Sequence, residues 1–136
     1  MRHVAQVLGF LMRSLPSFDT DRLAEAVEAL SPEELDLLPF GVTGLDTEGV
    51  VRVCNRAEKE FSGYADRAAL GRLYFVDVAP CLNNGYFKGR IDKARRDGTL
   101  DICFSFVGDF SDSERELSVR AQSASDGGLW IFIERG

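Results

Sequence analysis

The stretch "FGVTGLDTEGVVRVCN", residues 40–55, decides the fold. Two short strand-like runs, 40–46 and 49–55, flank the turn Asp46–Gly49, where Gly49 can take the positive φ that a tight hairpin needs. What precedes this hairpin reads as helix. Val4, Val7, Leu8, Leu11 and Met12 recur at helical spacing. Asp19 or Thr20 is placed to cap a second helix carrying Leu23, Ala26, Val27 and Leu30. "SPEE" at 31–34 then makes a capping box: Ser31 as N-cap, Pro32 at the first helical position and Glu34 closing it, with the helix ending near Leu38.

After the hairpin, Asn55 is an N-cap for a short helix over 56–62 that stops at Gly63. Asp66 starts another that ends at Leu70, with Gly71 as its left-handed stop. "LYFVDVAP" (73–80) ends at Pro80. Residues 84–97 give the clearest helix, with Phe87, Ile91 and Ala94 on one face and Gly98 at its end. Three strand runs close the chain. "TLDICFSFVGDF" (99–110) sets Leu100, Ile102, Phe104 and Phe106 on one face, "RELSVRAQSA" (115–124) alternates through Leu117, Val119 and Ala121, and "LWIFIER" (129–135) follows the turn "SDGG". Two strands, a helical middle and three strands predict an α+β fold. Helices lie on one face of a five-stranded antiparallel sheet, preceded by an N-terminal helical extension. The short helices form a flap that can leave a small-molecule pocket against the sheet.

Composition narrows the function. The 136 residues suffice for one core, and 45% hydrophobic with 28% charged residues is ordinary for a folded domain. Ten Phe favour an aromatic interior. A net charge of −6 disfavours nucleic acid and anionic membrane as partners. The basic run Lys93–Arg96 sits beside Asp92 and Asp97 and reads as a solvated helix end. Cys54, Cys81 and Cys103 form no CxxC pair, and with His3 the single histidine neither a disulfide framework nor a zinc site is expected. Reduced thiols and a cytoplasmic location are the expectation. The apolar run after Arg2 is interrupted by Gln6 and Arg13, which argues for an amphipathic helix over a signal sequence, and no run reaches membrane-spanning length. A lone N-terminal histidine supplies no base for Cys81 and no Ser-His-Asp set, and no phosphate-binding glycine loop is present. A non-enzyme is expected.

Four motifs carry a resemblance: "LPFG" (38–41), Asn55-x-Ala57-Glu58 with Ser62-Gly63, "DVAPC" (77–81) and the closing "WIFIER" (130–135). From about Leu38 to Arg135 the chain resembles the photoactive yellow protein family, PAS-fold blue-light receptors. The resemblance implies a cap over 1–37 and a photosensory PAS domain over 38–136. It also implies p-coumaric acid held as a thioester on Cys81, which suits a thiol that must be reached during attachment. Read alone, Cys81 would be a small buried hydrophobe. Glu58 would be buried, protonated and hydrogen-bonded to the phenolic end of the chromophore, giving up its proton after light. Read alone, it is N3 of a capping box with its carboxylate exposed. Ser62 matches a supporting hydroxyl, although a serine before glycine is otherwise an ordinary turn residue.

The chain departs from the family at several pocket positions. Cys54 stands where a tyrosine donates to the phenolate, and a thiol is a weak donor. Tyr64 replaces a common arginine, Gly108 a phenylalanine, and Asp112 a methionine. With Phe106 nearby, these are the candidate chromophore-binding positions. Losing the tyrosine donor either favours a neutral phenol absorbing nearer the ultraviolet, or leaves an anion, held mainly by Glu58, absorbing further to the red. A rearranged Tyr64 or a water could replace the donor. In the light-receptor reading, deprotonated Glu58 is a buried charge without a counter-charge. The pocket relaxes, and the N-terminal helices, which are also a candidate homodimer contact, pass the signal to a separate downstream partner. The competing expectation is a PAS interaction or ligand-sensing module with no covalent chromophore.

Overall fold

A computed structural model describes residues 15–62, 68–98, 100–110 and 113–135. The helical reading of Val4 to Met12, the Asp66 cap, and the positions Tyr64 and Asp112 lie outside the described residues. The elements run α1 (Leu23–Glu28), α2 (Pro32–Leu35), β1 (Gly41–Leu45), β2 (Val51–Cys54), α3 (Arg56–Ser62), a π-helical turn (Tyr74–Val78), a 3-10 turn (Pro80–Leu82), α4 (Lys88–Arg96), β3 (Asp101–Phe110), β4 (Ser113–Ser123) and β5 (Leu129–Arg135). The five strands form one antiparallel sheet in the order β2-β1-β5-β4-β3. The α+β expectation with this strand count holds, and the first and last strand groups meet where β1 pairs with β5.

Strand alternation divides the sheet into two buried faces. On one, Leu117, Val119 and Ala121 of β4 and Leu129, Ile131 and Ile133 of β5 pack with Tyr74, Leu82, Phe87, Ile91 and Ala94. On the other, Phe40, Val42, Trp130 and Phe132 pack with Phe18, Leu23, Val27, Leu35 and Leu38. The helices after the hairpin thus cover one face, and the segment 15–38 covers the opposite one. β1 is buried at every position because both of its sides are covered.

A bulge in β2 sets which way Cys54 faces. Thr43 pairs with Cys54 and Gly44 with Val53, but Leu45 pairs with Val51, so Arg52 is an extra residue in β2. Plain alternation would put Val51 and Cys54 on opposite faces. The bulge brings both onto the face that carries Tyr74 and Phe87.

Several local expectations are corrected. The N-cap of α1 is Arg22, at φ 51°, and neither Asp19 nor Thr20. Thr20 Oγ1 instead accepts the Ser17 N–H at 2.9 Å in a turn before the helix. Residues 68–70 are not helical, although Gly71 does take the left-handed conformation at φ 83°. α4 begins at Lys88 rather than at residue 84, because Asn84 Oδ1 accepts the N–H groups of Tyr86 and Phe87 and folds them into a turn. The Ser31–Glu34 capping box is present in full, but its helix ends at Leu35, short of Leu38.

Polar contacts fasten the 15–38 segment to the sheet. Arg120 donates to the carbonyls of Phe18 (2.6 Å) and Thr20 (2.8 Å), and Gln122 Oε1 accepts the Ala24 N–H (2.7 Å). The Glu28 carboxylate accepts from the Trp130 indole (2.7 Å) and the Ser125 N–H (3.0 Å). Partial burial raises the Glu28 pKa, but these hydrogen bonds outweigh it and the net direction is down. Arg120→Ala should therefore cost about 1.5–3 kcal/mol, the range for hydrogen bonds to a charged group. Amide exchange should quicken across residues 15–30 and stay slow in α4; unchanged exchange in 15–30 would exclude Arg120 as the fastener.

Candidate functional site

Asn55 organises the site. Its Oδ1 accepts the Glu58 N–H (3.1 Å), the N-cap bond of α3, and also the Val42 N–H (2.9 Å). Its Nδ2 donates to the carbonyls of Leu35 (2.9 Å) and Phe40 (3.0 Å). One buried side chain thus fixes the start of α3 against β1 and the end of α2. The Asn55 N–H is already given to the Val42 carbonyl at 3.1 Å. A capping box would need that N–H for the Glu58 carboxylate, so the exposed-carboxylate alternative has no donor, and the side chain turns inward.

Glu58 is 5% exposed. Its Oε1 lies 3.4 Å from Nη1 of Arg135, which is itself largely buried at the end of β5. Burial raises the Glu58 pKa, the Arg135 charge and hydrogen bond oppose it, and the net direction is up. The expectation that a Glu58 carboxylate has no counter-charge is corrected: Arg135 provides one. Gly41 makes the room, since a methyl group there would run into Glu58 Oε1.

Glu58 and Cys54 meet at a small cavity with Thr43, Val51, Ala69, Tyr74 and Val78. These walls leave about 10 Å³, the room of one water. The Cys54 Sγ–H points to the Asn55 carbonyl at 4.0 Å, a weak bond. Burial, with help from Glu58 and Asp36 and against Lys59, pushes the thiol up to about 11, so it stays protonated. Tyr74 is 2% exposed, and its N–H is fixed on the Gly49 carbonyl at 3.0 Å.

Cys81 is exposed, within the 3-10 turn, and its carbonyl accepts from Asn84 Nδ2 at 2.9 Å. It is therefore not the buried small hydrophobe that a lone cysteine suggests. Phe106 packs edge-on against Phe87 at 5.4 Å and is only partly buried. Gly108 pairs with Arg115 further along β3, and Ser62 is the last residue of α3. The structure thus brings Cys54 and Glu58 to one cavity and leaves Cys81 on the adjoining loop.

Four site residues are not marked as such by the sequence: Thr43 and Tyr74 lie outside the four motifs, and Gly41 and Arg135 close "LPFG" and "WIFIER" without a role of their own. Arg135 has a usable signal all the same, because period two from Ile131 and Ile133 places it on the same face. Tyr74 has none, since a π-helical turn follows no common period. Among the described residues, no group of three or more His, Cys, Asp or Glu could hold a metal ion, and no helix is long and apolar enough to cross a membrane.

The raised Glu58 pKa carries a sign. The folded protein holds this proton more tightly than the unfolded chain, so stability falls as pH rises from the ordinary carboxylate range through the raised value. Glu58→Gln should remove that part of the pH dependence in urea unfolding. Gly41→Ala should remove it too, by evicting the carboxyl, at a cost of about 1–3 kcal/mol. A Gly41→Ala protein with the parental pH profile would contradict the packing of Glu58 beneath β1.

Comparison with known proteins comes down on one family. A family model described as PAS fold matches residues 29–135. The chain is 31% identical over 119 residues to a photoactive yellow protein of Halochromatium salexigens, covering 87% of this chain and 95% of the relative. It is 30% identical over 119 residues to that of Rhodothalassium salexigens, with the same coverage. Among solved structures, it is similar to the photoactive yellow protein domain of the sensor histidine kinase Ppr from Rhodospirillum centenum. That match has a TM-score of 0.71 and 35% identity, and covers 82% of this chain and 98% of that one.

Proposed function

The chain belongs to the photoactive yellow protein family of PAS-fold proteins, and on that premise we propose that it is a light receptor carrying p-coumaric acid as a thioester on Cys81. The observation that carries this reading is Glu58: an enclosed carboxyl, held toward its protonated form, beside a cavity whose other walls, among the described residues, are apolar, hydroxyl or thiol groups. Such a donor set suits a phenolic oxygen. The exposed Cys81 suits acylation: its sulfur bonds to the acyl carbon as the activating group leaves, and the thiol proton goes to solvent. The cavity is smaller than a coumaroyl group, so loading moves part of its wall outward, with the partly buried Phe75, Val78 and Ala79 nearest the anchor in the chain.

When bound, the group supplies light absorption and a double bond that isomerises. With the group in place, Glu58 would donate a hydrogen bond to the phenolic oxygen in the dark and would pass its proton to that oxygen after light. The resulting carboxylate faces Arg135. Tightening of that pair pulls on the end of β5, whose other face carries Trp130 and Phe132 against the 15–38 segment. The N-terminal cap thereby feels the charge change, and a separate signalling protein reads it.

One observation favours a PAS sensing module without a covalent group: the cavity beside Glu58 is nearly filled, and Cys81 lies exposed outside its walls. Reconstitution separates the two. Protein treated with activated p-coumaric acid should gain the mass of one coumaroyl group at Cys81 and an absorption band absent from the apoprotein, and Cys81→Ser should gain neither. A band that persists in Cys81→Ser would show that the anchor is elsewhere. A wild-type protein that takes up no acyl group would favour the non-covalent module.

A further inference from the structure

Cys54 stands where the resembling family carries a tyrosine, and its sulfur is occupied weakly with its own neighbour's carbonyl. A phenolate held by Glu58 alone is poorly compensated in an apolar surround. The same cavity, however, contains a phenol that no sequence motif marks. Tyr74 lines it together with Cys54, Glu58 and Thr43. We infer that Tyr74 is the second donor to the phenolic oxygen of the bound group, in place of the tyrosine missing at position 54. This rests on the light-receptor reading above.

The placement of Tyr74 supports the role. Its main chain is pinned on both sides, by its N–H on the Gly49 carbonyl (3.0 Å) and by its own carbonyl taking the Ala79 N–H (2.7 Å). The neighbouring Phe75 ring sits edge-on at 4.9 Å and limits rotation of the phenol. The π-helical turn that begins at Tyr74 leads straight into the turn carrying Cys81, so donor and anchor belong to one short segment, 74–82. The hydroxyl stays protonated. Burial raises its pKa well above the ordinary tyrosine value, the Glu58 charge adds to this, Arg135 opposes it, and Cys54 and Cys81 contribute smaller increases. A phenol that keeps its proton is a dependable donor, and stronger than a thiol.

Cys54 and Tyr74 face the same cavity, one from the strand and one from the turn.

The test titrates the phenol of the bound group by absorption in the loaded parental protein and four loaded variants. Tyr74→Phe should raise its pKa by about one unit, a tenfold change in the ionisation equilibrium, as expected for one lost hydrogen bond. A fluorinated, more acidic tyrosine at position 74 should lower it without altering the packing, and decides the matter if Tyr74→Phe fails to fold. The double variant Cys54→Tyr, Tyr74→Phe should return toward the parental value. Thr43→Val, which removes the other hydroxyl that the described residues bring to the cavity, should leave it within a few tenths of a unit. Unchanged titration in both position-74 variants of a protein that is acylated at Cys81 overturns the inference and leaves the light-receptor reading standing. A shift in Thr43→Val alone moves the donor role to Thr43 and overturns it equally. Absence of acylation in the parental protein defeats the reading on which it rests.

Discussion

A carboxyl group enclosed between a helix and a sheet is the constraint on which the rest depends. Glu58 reaches its place only because Gly41 has no side chain and because Asn55 directs the start of α3 at β1. Desolvating a carboxylate is costly, so the site favours the proton, and Arg135 keeps that preference from being absolute. The outcome is a group poised to hold or release a proton with a cation waiting beside it. A fully apolar surround would lock the proton in, and an open one would discard it.

β5 connects this site with the far side of the molecule. Its odd-numbered residues, Ile131, Ile133 and Arg135, face the site, while Trp130 and Phe132 face the segment 15–38. Glu28, Arg120 and Gln122 add polar fasteners on that second face. A single central strand therefore meets both the ionisable pair and the segment 15–38. What joins the two is a packed strand, which is stiff, rather than a loop.

Much of the fold is legible in the sequence because it rests on short-range chemistry. The turn at Gly49, the Ser31–Glu34 capping box and the alternation of Leu117, Val119 and Ala121 each depend on a few neighbouring residues, and each is present. The start of α1 is not legible, because Arg120, about a hundred residues away, takes the Thr20 carbonyl and shapes the preceding turn. Among the site residues, the motif around Glu58 places it, and the choice between buried and exposed carboxyl turns on a bond from Asn55 to Val42 that only the sheet reveals. Tyr74 is hidden in an aromatic run whose π-helical geometry has no sequence period. The β2 bulge is equally silent, although it decides which way Cys54 faces.

The central claim is that light moves a proton off Glu58. Infrared difference spectroscopy of the coumaroyl-loaded protein, light minus dark, observes this bond directly. The account predicts loss of a carboxylic-acid carbonyl band on illumination, with a carboxylate band appearing in its place, and neither change in Glu58→Gln. A photoproduct that forms in full while every carboxylic-acid band stays unchanged would contradict it.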